Sequence, residues 1–448
     1  MTPVSYLARR TELAKRMRAD GEGGVLVLRS APVQLRNGDV EQDYRQDSDF
    51  FYLTGFSEPE SALVFESDGP FEQGKLSLFV RHRNPEREIW DGPRAGVEGA
   101  SLAASLSGAD AAYGMDEFDK ALASLLTDKD CLYYAWGKNE AEDRSIKAAL
   151  AVVKGRARTG VWPPRRIVEP AVHLHEMRLV KTEAEVERMR HACKITAEAH
   201  MRCMARARDG MAEYELDAAL LGAFREAGSE RVAYTSIVGS GPNACILHYR
   251  AGARRMREGE LVLVDAGCEY EGYASDVTRV FPVSGTFLPE QRAIYELVLK
   301  AEEASIAAVK PGATLDQIHN TSVRVLVDGL LALGLLQGDA DELIKSEGYK
   351  RFYMHRTSHW LGMDVHDAGT YFVRGKVRPL AAGMVITVEP GIYIAAGDET
   401  VPAAWRGIGV RIEDDVLVTE TGFEVLSSMT PKTVADVERA CGKVQKST

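Results

Sequence analysis

The first third of the chain mixes short apolar runs with segments of helical periodicity. GGVLVLRSA (23–31), ESALVFES (60–67) and KLSLFV (75–80) read as strands, whereas YLARRTELAKRM (6–17) and EFDKALASLL (117–126) read as helices. GVWPPRRIVEP (160–170) reads as a linker, because adjacent prolines hold the chain extended. Beyond it a long helix is expected over 182–208, with Thr182 and Glu185 as a capping box and Gly210 as its stop. YELDAALLGAFREAG (214–228) is a second helix, followed by strands in YTSIVG, ACILHY, LVLVDAG and YASDVTRVF. The order then recurs. Helices in 289–309 and 314–334 precede strands in GMVITVEP, GVRIEDDVLVT and FEVLS. Two helices then strands, twice over, predict two similar halves facing each other. The expected class is α/β, with one domain over 1–172 and an α+β domain with pseudo-two-fold halves over 173–448.

The apolar runs carry acids. LVLVDAGCEYEGYASDVTRVF (261–281) places Asp265 and Asp276 inside segments that read as buried strands. Burying an unpaired carboxylate is costly, so these acids need a partner. If the segment is a hairpin with Tyr270 and Glu271 at its tip, Asp265 faces Asp276, with Cβ atoms about 4.5–5.5 Å apart. A cation between them removes the repulsion. Glu389 ends one apolar run and Glu413 lies inside another, where alternation puts Arg411, Glu413 and Asp415 on one face. HRTSHWLGMDVHD supplies His355, His359 and His366. Four carboxylates with one or two imidazoles exceed one tetrahedral zinc site and suit two harder divalent ions, Mn²⁺ before Zn²⁺ or Co²⁺. His248 also lies in an apolar segment. His82, His173, His175, His191, His200 and His319 lie in charged helices or loops and are assigned structural or solvent roles. HRTSH lacks the glutamate of HExxH, and GSGPN (239–243) lacks the GK[ST] of a phosphate loop.

Composition narrows the partners. A net charge of −11 argues against nucleic acid or an anionic membrane held by bulk charge. No run approaches the roughly 20 apolar residues of a membrane span, and the six cysteines contain no CxxC pair. A cytoplasmic protein with reduced thiols is expected.

DAGCEYEGYASDVTR, HRTSHWLGMDVHD, VEPGIYI and RGIGVRIEDDVLVT together resemble the pita-bread metallopeptidases, and among them the bacterial aminopeptidase P family. RNGDVEQDYRQDSDFFYLTGFSEPESALV (36–64) resembles that family's N-terminal, creatinase-like domain. The resemblance implies metal ligation by Asp265, Asp276, His359, Glu389 and Glu413, with Glu389 also shuttling a proton. It implies that His248 and His366 hold the scissile carbonyl, that His355 lines a proline pocket, and that Arg411 supports His366. Tyr234, Tyr393, Arg178 and Trp90 match pocket-lining positions. The implied reaction is hydrolysis of the N-terminal Xaa-Pro bond of a peptide with proline in second position, by a homo-oligomer, tetramer before dimer. Arg356 and Thr357 depart from the Gly-Leu usual in this family, and Arg356 is expected to point outward. The alternative is a prolidase, which shares the ligands but prefers dipeptides. Methionine aminopeptidases usually lack a comparable first domain, creatinase-type enzymes lack the metal, and a scaffold protein with eroded ligands does not fit the full set.

Overall fold

A computed structural model describes residues 5–21, 23–69, 71–102 and 109–442. The chain forms two compact units that divide between Met177 and Arg178, so the boundary expected after residue 172 falls inside helix Ala171–Leu179.

In the N-terminal unit, helix α1 (Tyr6–Ala19) precedes strand β1 (Gly24–Arg29). The sheet adds β2 (Ala62–Glu66), β3 (Lys75–Val80), β4 (Ala111–Gly114), β5 (Cys131–Tyr133) and β6 (Arg166–Val168), in the order β4-β3-β2-β1-β5-β6. The linker expected over 160–170 therefore holds the sheet's last strand, since Arg166–Val168 pairs in parallel with Cys131–Tyr133. Its prolines, Pro163 and Pro164, lie just before that strand, where no ladder N–H is required. Helix α2 (Pro85–Asp91) carries Ile89 and Trp90, each 83% exposed.

The C-terminal unit is built as the repeated pattern predicts. Its first half packs α3 (Glu183–Arg206) on α4 (Glu213–Glu226), and the Glu185 carboxylate accepts from the Thr182 N–H at 2.9 Å. Strands β7 (Arg231–Val232), β8 (Ile237–Ser240), β9 (Leu261–Asp265), β10 (Cys268–Tyr270), β11 (Tyr273–Ala274) and β12 (Thr278–Pro282) follow. They form two sheets, β8-β9-β12 and β11-β10-β7. The second half packs α5 (Pro289–Ala307) on α6 (Leu315–Ala332). Besides a short hairpin of Phe372–Val373 with Lys376–Val377, its strands are β13 (Val385–Val388), β14 (Gly391–Tyr393), β15 (Gly409–Arg411), β16 (Asp414–Val418) and β17 (Phe423–Val425), paired as β13-β16-β17 and β14-β15. ACILHY, expected as a strand, is instead the end of a 3₁₀ turn (Gly241–Cys245) and a loop.

The hairpin forms in a different register from the one expected. Asp265 pairs with Thr278, and the tip is Glu271-Gly272, where φ is 47° and 78°. Two consecutive left-handed residues make a type I′ turn, which matches the strand twist and sets the register. Asp276 thus lies in the break between β11 and β12. Opposite that break, Gly267 lets the backbones meet, for a Cβ there would lie 1.6 Å from the Ser275 carbonyl oxygen. The two acids still converge, because the Tyr234 hydroxyl bonds to Oδ1 of both Asp265 and Asp276.

Candidate functional site

A cavity of about 1100 Å³ opens in the C-terminal unit. Its wall carries Asp265, Asp276, Glu389, Glu413, His248, His355, His359, His366, Tyr234 and Arg411. The backbone explains the convergence. Asp265 ends β9 and Glu389 follows β13, while Glu413 lies between β15 and β16. The halves meet where the Glu413 N–H donates to the Thr278 carbonyl at 3.2 Å.

Asp276, His359 and Glu413 offer ligand atoms that all lie within 4.8 Å of one another. His359 Nε2 stands 3.4 Å from Asp276 and 3.8 Å from Glu389, and its Nδ1 is 3.0 Å from the Trp360 carbonyl, which accepts from it. That bond leaves Nε2 free to bind a metal. Burial pushes Asp265 up against the pull of Arg411, and Asp276 adds to the rise. Burial lifts Glu389 to about 7, opposed by His359 and Arg411. Burial also lifts Glu413 well above the usual carboxylate range, with Asp276 and Glu389 adding repulsion. For His359, burial opposes charge, but Asp276 and Glu389 hold it up to about 9. Among the described residues, Arg411 is the one arginine or lysine whose side chain bonds a carboxylate of this group. Clustered carboxylates so poorly neutralised, with one imidazole, are the donor set a hard divalent cation requires, so the residues fit metal.

The polar frame around these groups is specific. Arg411 donates to Asp265, to Thr278 Oγ1 at 3.1 Å and to the Tyr393 hydroxyl at 2.9 Å. The resemblance implies support of His366; the hydrogen bonds of the Arg411 guanidinium go to Thr278, Tyr393 and Asp265 instead. His366 stands edge-on to His359, with ring centroids 4.5 Å apart. His355 Nε2 shares a hydrogen with the Tyr393 hydroxyl at 2.8 Å, and burial lowers the His355 pKa to about 3. Tyr393 is buried and joins His355 to Arg411 behind the wall rather than lining it.

Arg178, expected to line the pocket, is placed differently. Arg178 is buried and paired with Asp364 at 2.7 Å and Asp367 at 2.6 Å, so it is not on the cavity wall. Trp90 belongs to the N-terminal unit. The outward course expected of Arg356 is found only in part. The residue lines the cavity yet stays 59% exposed, bonded to Asp316 on α6.

Three residues escape a reading by motif. Thr278 Oγ1 donates to Glu413 Oε2 at 2.7 Å, a role visible only as alternation with Asp276. Asp415 Oδ2 accepts from the Asp276 N–H at 3.0 Å and the Cys193 thiol at 3.1 Å. His200 is fully buried, 3.2 Å from the Ala266 carbonyl, beneath the bend that separates Asp265 from Asp276. Burial holds its pKa near 4, so it serves that bend as a neutral imidazole.

Paired helix–sheet halves around a cavity of carboxylates and histidines define a metal-dependent hydrolase. The chain belongs to metallopeptidase family M24, which it matches over residues 187–420, and residues 6–133 match the aminopeptidase P N-terminal domain. It is 43% identical to the Xaa-Pro aminopeptidase of Escherichia coli (strain K12), over 97% of this chain and 96% of that one. It is 34% identical to human Xaa-Pro aminopeptidase 3, over 99% and 87%. Among solved structures, Pseudomonas aeruginosa aminopeptidase PepP aligns with a TM-score of 0.94 at 48% identity, covering 99% of this chain and 100% of that one. The fold is accordingly a creatinase-like α/β domain followed by a pita-bread domain.

Proposed function

We propose that this metal-dependent peptidase hydrolyses the N-terminal Xaa-Pro bond, releasing the first residue of peptides with proline in second position. The observation that carries the reading is the convergence of Asp265, Asp276, His359, Glu389 and Glu413 on one cavity wall, in a chain matching Xaa-Pro aminopeptidases end to end. Those five residues would hold two divalent ions, and the oxygen-rich donor set favours Mn²⁺ over Zn²⁺ or Co²⁺. When bound, such ions supply Lewis-acid polarisation and an activated water.

The chain's own residues do the rest. A Xaa-Pro bond has no N–H to donate, so a site must grip the peptide by other groups. His355, fixed by Tyr393, presents its ring to the proline. His248 and His366 face the scissile carbonyl from the wall and donate as charge develops on its oxygen. Glu389, beside His359, accepts the proton of the attacking water and returns it to the proline nitrogen. Arg411 opposes the burial-driven rise of the Asp265 pKa and holds its carboxylate in place.

Exposed Ile89 and Trp90 support burial of α2 in a homo-oligomer, and the resemblance favours a tetramer. Six free thiols support a reducing, cytoplasmic setting. Metal analysis coupled to hydrolysis of Xaa-Pro peptides of graded length tests the reading. The expectation is metal-dependent cleavage of Xaa-Pro-Yaa and longer peptides, with dipeptides poorer; a preference for dipeptides moves the assignment to prolidase.

A further inference from the structure

Four charged residues on the cavity wall take no part in the proposed chemistry: Arg250, Arg356, Arg378 and Asp316. Arg378 is held by Thr370, donating through Nε and Nη2 at 2.8 Å each. Arg356 gives one terminal nitrogen to Asp316, and its side chain remains 59% exposed. Arg250 is exposed, and none of the described residues pairs with it. Apart from the carboxylate cluster and Arg411, the wall carries three cations and one acid, so positive charge is gathered on the part of the cavity outside that cluster. A cavity focuses such a field onto whatever enters it.

Their place in the sequence ties them to the substrate path. Arg250 lies two residues past His248, and Arg356 immediately follows His355. Those histidines are assigned to the scissile carbonyl and the proline ring. Both cations line the same cavity as those histidines. Asp316 sits in the first turn of α6 and pairs with one terminal nitrogen of Arg356.

We propose that Arg250 and Arg356 form a carboxylate subsite for the peptide segment following proline, with Asp316 as an internal competitor for Arg356. This inference rests on the Xaa-Pro reading. The carboxylate comes either from an Asp or Glu side chain after the proline or from the C-terminus of a short peptide. In both cases the contact lies away from the reacting bond. It is made equally in ground and transition states, so it acts through KM rather than kcat.

The test uses the metal-loaded full-length enzyme with the peptide amides Ala-Pro-X-Ala-Ala, where X is Glu, Gln or Lys, and with Ala-Pro-Ala as acid and as amide. The expected kcat/KM favours Glu over Lys roughly three- to tenfold at low salt, carried in KM and fading at high salt. Arg250→Gln and Arg356→Gln narrow the ratio, whereas Asp316→Asn widens it by releasing Arg356. A preference confined to Ala-Pro-Ala acid over its amide assigns the subsite to the chain terminus. Equal kcat/KM across both series overturns the subsite. Cleavage of the neutral Gln peptide reports the Xaa-Pro activity separately, so failure of the subsite is distinguishable from failure of the function.

Discussion

Thr278 and Glu413 are joined twice across the seam between the two halves. The Glu413 N–H donates to the Thr278 carbonyl at 3.2 Å, and Thr278 Oγ1 donates to Glu413 Oε2 at 2.7 Å. Arg411 Nε donates to the same hydroxyl oxygen at 3.1 Å, so one buried threonine orients a metal-side carboxylate and the arginine behind it. Thr278→Val keeps the shape and removes the hydroxyl. It is expected to weaken metal binding about 10–100-fold while the fold persists. Calorimetric titration of metal into the apoprotein measures it, and unchanged affinity would contradict the role given to Thr278.

Chelation should abolish hydrolysis, and Mn²⁺ should restore it at least as well as Zn²⁺. Asp276→Ala should bind fewer ions by elemental analysis. Full activity after exhaustive chelation would sink the metal assignment.

His366→Ala should retain its metal and lose kcat, by roughly 10²–10³, with a much smaller change in KM. If metal content falls in step with activity, His366 is a ligand and its assignment to the scissile carbonyl is wrong.

Asp367 gives a pH-dependent stability term. Burial alone would raise its pKa, but Lys181 at 2.9 Å and Arg178 at 2.6 Å hold it below the usual value. A carboxylate depressed on folding stabilises the protein above its unfolded pKa of about 3.9, and the contribution is lost as pH falls through the folded value. Asp367→Asn takes the carboxylate from buried Lys181 and leaves Arg178 its pair with Asp364, and should cost about 3–5 kcal/mol at neutral pH. Thermal unfolding of wild type and variant should converge in acid; a gap independent of pH would exclude the ionic origin.

Trp90→Ser should weaken assembly if α2 is buried between subunits. Light scattering reads this directly, and a fully active monomeric wild type would remove the homo-oligomer.

Much of the site is legible in the sequence because it breaks the rules of burial. Asp265, Asp276 and Glu413 interrupt apolar runs, and a buried charge is costly enough that each must be there for a reason. Most element types were legible too, since periods of 3.6 and 2 follow from local backbone geometry, but short segments such as ACILHY and the strand Arg166–Val168 were not. Register was not. It depends on which residues accept positive φ and where backbones can touch, which Glu271-Gly272 and Gly267 decide only in the folded hairpin. Long side chains were the least legible. Arg178, Arg356 and Arg411 each choose partners far away in sequence: Asp367, Asp316 and Asp265. A guanidinium on a flexible stem goes to the acid that tertiary packing brings within reach, and no local pattern encodes that distance.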